Sequence, residues 1–227
     1  VRLLPLLSRA AQDGPDHVDA HRSPCLVIGP HVRRGQVACV PAQPLPPRQA
    51  MWVGRQLDGS VMVPTDQLIR PAGTQVEFPG RPTDLAVLPD GETLGGVDRG
   101  HLRLIDLQSG ELEASVASDG GHAVTGLAVT KDGRTVYTTS STKSLVQRWE
   151  VKPDDTVARG KALTVPGAKP IPAGLALSAD EQTIYVCESR RNQVLALPLG
   201  EGEVRSLPVG IAPYEVLRVG GKLYVTN

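Results

Sequence analysis

Aromatic residues are scarce: they form 3% of the 227-residue chain, with two Trp and one Phe. Gly (24) and Pro (20) instead make up about a fifth of it. That balance favours turns and short strands over long helices and points to an all-β class. Net charge is missing as well, since 24 Lys plus Arg meet 24 Asp plus Glu. No global field therefore steers the chain toward nucleic acid or an anionic membrane, and nucleic acid is not an expected partner. No apolar run reaches the ~18 to 20 residues of a membrane helix. The cysteines, Cys25, Cys39 and Cys187, are odd in number and form no C-x-x-C pair, so neither a zinc site nor a disulfide framework is indicated. Also lacking are G-x-S-x-G, a Walker loop, H-E-x-x-H and a dinucleotide fingerprint, so no motif nominates a catalytic residue or a cofactor.

Residues 1–50 contain neither Lys nor Glu, yet hold eight of the twenty Pro and six Arg. Without periodic apolar residues such a segment cannot offset the entropy of ordering itself. It reads as a Pro/Arg-rich leader, either disordered or not native, with Met51 as an alternative start. The opening VRLLPLLSRAA is too short for a full signal peptide. If helical, His17 and His21 would share a face beside Asp16 and Asp19, but Pro15 and Pro24 bracket a stretch too short to hold a helix, and no metal is expected there.

Beyond residue 80 a pattern recurs: RPTDLAVLPDGETLGGVD from Arg81, AVTGLAVTKDGRTVYTTS from Ala123, IPAGLALSADEQTIYVCE from Ile171 and IAPYEVLRVGGKLYVTN from Ile211. Each is an apolar strand, a turn and a second apolar strand. Leu85, Leu127, Leu175 and Val216 occupy one column at spacings of 42, 48 and 41. Asp90-Gly91, Asp132-Gly133 and Gly220-Gly221 supply the positive φ that a tight turn needs, and Asp180-Glu181 is the weakest instance. Between these pairs lie further strand-turn-strand segments, 101–116, 144–165 and 193–209. Each unit is thus four short antiparallel strands in about 41 to 48 residues, the size of a propeller blade.

The units resemble the YVTN family of β-propeller repeats. The matching residues are Pro82, Asp90-Gly91 and Ile105-Asp106 in the first unit, Tyr137 in the second, Pro172 with Tyr185-Val186 in the third, and Leu223–Asn227, which reads LYVTN. The resemblance implies an incomplete propeller over 51–227: half a blade at 58–80, blades at 81–124, 125–172 and 173–212, and the first hairpin of a fourth at 213–227. The family typically makes seven blades, so the natural protein is expected to be longer, with further C-terminal blades or a domain. The lead-in from Val53 also resembles bacterial proteins in which such a propeller precedes a phosphoesterase domain, absent here. A periplasmic or secreted location is implied by the family alone.

In each unit the first strand runs toward its turn and the second returns, so the entry of one and the exit of the other share a face. The entries offer Arg81, Thr83, Asp84, Thr125, Tyr214 and Glu215; the exits offer Asp98, Ser140, Glu188 and Asn227. If the innermost strands line a channel, Arg81, Asp84, Asp98, Ser140, Glu188, Glu215 and Asn227 would ring its mouth and bind a small ligand. Arg99, Arg190 and Arg191 stand beside the exits. Polar strand ends also serve simply to solvate a face, and His101 and His122 read as loop residues. Cys187 reads as a buried, inert thiol and Trp149 as filler between blades. Two functions follow: a non-catalytic module binding a ligand or protein within a longer chain, or a lactonase-like hydrolase of the phosphogluconolactonase type.

Overall fold

The computed structural model describes residues 52–227 apart from 71, 74, 99 and 120. The expected leader, with Asp16–His21, Cys25 and Cys39, and also Arg99, lie outside the described residues. Nearly every element is a strand. A small meander comes first: β1 (Gly54–Arg55), β2 (Val61–Met62) and β3 (Leu68–Ile69). The first full blade pairs β4 (Pro82–Val87), β5 (Thr93–Asp98), β6 (His101–Asp106) and β7 (Leu112–Ala117) in sequence order. The second contains β8 (Leu127–Val129), β9 (Thr135–Ser140), β10 (Leu145–Val151), β11 (Val157–Arg159) and β12 (Leu163–Thr164). The third contains β13 (Pro172–Leu177), β14 (Thr183–Glu188), β15 (Gln193–Pro198) and β16 (Arg205–Pro208). A hairpin of β17 (Glu215–Val219) and β18 (Lys222–Thr226) closes the series. No helix among the described residues is long and apolar enough to cross a membrane.

Local chemistry explains these elements. Pro82 and Pro172 open β4 and β13, where a missing N–H is tolerated, and a register shift follows each of them. The turn aspartates do more than precede a glycine. Asp90 Oδ1 accepts the Glu92 and Thr93 amides at 2.9 and 3.0 Å. Asp132 Oδ1 accepts the Thr130 hydroxyl at 2.6 Å and the Arg134 amide at 3.0 Å, bonds that hold its carboxyl below the usual range. After them Gly91 (φ 75°) and Gly133 (φ 71°) take the left-handed conformation, and in the third blade Glu181 (φ 57°) adopts it without being glycine. The outer edge of the second blade is split: β11 and β12 both pair with β10, offset by a one-residue bulge. Gln147 Nε2 fills that break by donating to the Arg148 and Gly160 carbonyls at 2.7 and 3.0 Å.

The core lies in the seams between blades. Three apolar clusters occur, one per seam. Leu127, Val136 and Trp149 pack with Val97 and Leu102 of the first blade. Leu175, Ile184 and Val186 pack with Tyr137 and Val146 of the second, and Val216 packs with Ala173, Cys187 and Val194 of the third. The repeat column measures what a preceding blade contributes: Leu127, Leu175 and Val216 are 9%, 4% and 3% exposed, whereas Leu85 is 54% exposed. The other face behaves likewise, with Tyr137 6% exposed and its counterpart Tyr224 55%. The described blades form an open arc with an uncovered apolar face at each end.

Trp149 is fully buried and donates its indole N–H to Thr138 Oγ1 at 2.9 Å. Trp149→Ala is expected to lower stability by about 3–5 kcal/mol, read as a shift in the urea unfolding midpoint.

Candidate functional site

The four inner strands line an open groove of about 480 Å³. β8 contributes Leu127 to Val129 and β13 contributes Leu175 to Leu177, while Asp84 comes from β4 and Glu215 from β17. The position before the apolar column reads Asp84, Gly126, Gly174 and Glu215. The glycines are there because the next strand passes close. A Cβ on Gly174 would stand 2.5 Å from the Glu215 backbone, and one on Gly126 would stand 2.4 Å from the Ala173 carbonyl. Instead Gly174 donates its amide to the Tyr214 carbonyl at 2.7 Å, and Gly126 donates its own to Asp84 Oδ2 at 2.8 Å.

Between the two carboxylates stands Thr125, buried at the entry of the second blade. Its Oγ1 lies 3.3 Å from Asp84 Oδ2 and 3.1 Å from Glu215 Oε2. A threonine hydroxyl carries one hydrogen, so it donates to one carboxylate at a time. Burial, and then the Asp84 charge among smaller effects, push the Glu215 carboxyl above its ordinary value. The Leu85 amide (2.8 Å) steadies Asp84, and the Val216 amide (3.1 Å) steadies Glu215. Three blades thus meet on one hydroxyl. At the other end of the groove the charged groups tie turns together: Glu181 Oε1 accepts the Lys131 amide at 2.6 Å, and Arg218 Nε donates to the Leu177 carbonyl at 3.0 Å.

Of the seven residues nominated for a channel mouth, Asp84 and Glu215 come together here. Asp98, Ser140 and Glu188 do not join them; all three are buried at the strand ends of their own blades. Asp98 takes the Gly100 and His101 amides (2.9 and 2.8 Å) and Arg103 Nε (2.8 Å). Burial alone would raise its pKa, but the Gly100 amide and Arg103 together carry it below the usual carboxylate range. Glu188 Oε2 accepts Gln193 Nε2 at 2.7 Å, and its Oε1 has no partner among the described residues. The Ser140 hydroxyl, also without a partner, faces a cavity of about 20 Å³ beside Trp149, room for one water. Asn227 is exposed beside Gly210, and Arg81 is exposed on a separate groove with His101 and His122. Cys187 is fully buried, and burial, with Glu215 adding to it, pushes its thiol up to about 12. Among the described residues, no three His, Cys, Asp or Glu side chains gather as a metal site. The glycine pair was the signal missed in the sequence: two glycines and two acids share one strand position.

No family model matches the chain, and no curated protein does. Solved structures do. The Swd1 (Cps50) β-propeller domain of Myceliophteria thermophila superposes with TM-score 0.53 at 16% identity, over 60% of this chain and 46% of that one. The fold is that of a β-propeller. Virginiamycin B lyase from Staphylococcus aureus matches with TM-score 0.54 at 12% identity, covering 74% and 55% of the two chains. The periplasmic gluconolactonase PpgL of Pseudomonas aeruginosa gives TM-score 0.54 at 21% identity, covering 75% and 54%. The chain spans about half the length of these propellers. They include a β-propeller domain of Swd1, a lyase and a gluconolactonase, so the fold alone does not choose a function.

A raised Glu215 pKa means that the folded state binds more protons than the unfolded state between the unfolded and folded values, so stability falls as pH rises through that window. Glu215→Gln, neutral at every pH, is expected to melt higher than the parent at pH 8 and alike at pH 4. Parallel thermal melts check this, and a gap that does not widen with pH contradicts it.

Proposed function

We propose that this chain is a non-catalytic binding module of YVTN-type propeller repeats. It works within a ring completed by further blades and holds a small polar ligand in the inner-strand groove. The observation that carries this reading is the convergence of Asp84, Thr125 and Glu215, from three blades, on one end of that groove. Carboxylate oxygens fixed on either side of one hydroxyl offer several acceptors and a donor at close range, the complement of vicinal hydroxyls on a sugar or polyol. Catalysis has less support, because the Thr125 hydroxyl between the carboxylates is buried and so is the Cys187 thiol. The YVTN assignment rests on LYVTN and its partial copies in the earlier units, and an extracytoplasmic setting follows from that resemblance. Calorimetric titration with monosaccharides and aldonic acids tests the reading. Thr125→Val and Asp84→Asn are each expected to weaken binding about tenfold, and a ligand bound equally well by both variants sinks it.

One observation favours a hydrolase as the second reading. Asp84 and Glu215 flank the same hydroxyl and Glu215 is pushed toward its protonated form, the pattern of an acid beside a base. A gluconolactonase among the structural neighbours agrees with this. Turnover of an aldonolactone, lost by about 100-fold or more in Glu215→Gln, would select it over the module.

A further inference from the structure

A second groove, of about 510 Å³, lies at the entry end of the first blade, lined by Pro79, Gly80, Arg81, Asp98, His101 and His122. We propose that it binds a small oxyanion, a carboxylate or a phosphate, through Arg81, His101 and His122.

The charges in the groove support this. Arg81 is exposed and forms no ion pair with any described residue. Asp98 presents no free negative charge, because Arg103 lies 2.7 Å from its Oδ2 and the carboxylate is only 3% exposed. Arg103 is itself occupied: it also donates to Ser115 Oγ at 2.8 Å and to the Pro79 carbonyl at 2.5 Å, and it stacks on Phe78 at 4.6 Å. Those bonds fix the 78–80 segment as one wall of the groove. Gly80 is required there, since a Cβ at this position would stand 2.4 Å from Asp98 Oδ2. The groove thus presents the Arg81 guanidinium, a planar donor fork, with the His101 and His122 rings beside it.

His101 is oriented for this role. Its Nδ1 lies 3.3 Å from Asp98 Oδ1 while its side chain stays 43% exposed. With Nδ1 turned to Asp98, Nε2 is the ring nitrogen left to meet a ligand in the groove. The charged or titratable groups around it are Asp98, Arg103, Arg81 and His122, with Asp119 and Lys143 beyond Gly100. The site is independent of the Asp84–Thr125–Glu215 cluster.

The test titrates the full chain with acetate and, separately, inorganic phosphate, following imidazole NMR signals assigned with His101→Gln and His122→Gln. Both signals are expected to move saturably, and the tighter anion names the ligand class. Arg81→Ala should weaken binding by about tenfold or more, whereas Arg205→Ala, on the exposed strand β16, should not. Circular dichroism confirms folding, and Arg81→Lys, which keeps the charge, should retain part of the affinity. No saturable shift with either anion, or equal weakening by Arg205→Ala, overturns the proposal.

Discussion

Everything in this molecule depends on one blade burying the apolar column of the next. A four-stranded sheet of short strands has two faces and too few aromatic residues to make a core alone. The seams supply it. Leu127, Leu175 and Val216 are each buried against the preceding blade, and the same column at Leu85, with no blade before it, stands open. Stability is therefore a sum of neighbour contacts along the arc, and no blade is expected to persist without one.

The same constraint builds the inner-strand groove. Close approach of inner strands demands glycine at Gly126 and Gly174, and the absence of side chains there leaves room for the carboxylates of Asp84 and Glu215 to meet over Thr125. Packing and polarity thus share one column of the repeat. A Glu215 carboxyl pushed above its ordinary value is the electrostatic consequence of drawing the blades together.

Much of the architecture was legible in the chain. The strand pairs, the turn positions and the resemblance to propeller repeats all follow from periodicity, and the pairing β4–β5, β13–β14 and β17–β18 occurs where the apolar runs place it. The site was legible only in part. Asp84 and Glu215 stood at strand entries, but Asp98, Ser140 and Glu188, in an equally regular column, turn inward. Asp98 has backbone amides and an arginine to satisfy, bonds that exist only in three dimensions. His101 and His122 read as isolated loop residues because the groove they share with Arg81 is closed by a segment some twenty residues upstream of His101. The bulge at Gly160 was likewise hidden, since a one-residue offset leaves the apolar alternation of the flanking strands intact.

Dependence of each blade on its neighbour is measured most directly by native-state hydrogen exchange on Leu175→Ala. Truncating this side chain, 4% exposed in the seam of the second and third blades, should reduce amide protection together in β9 (Thr135–Ser140) and β14 (Thr183–Glu188). Loss of protection confined to β14, with β9 exchanging as in the parent, would contradict it.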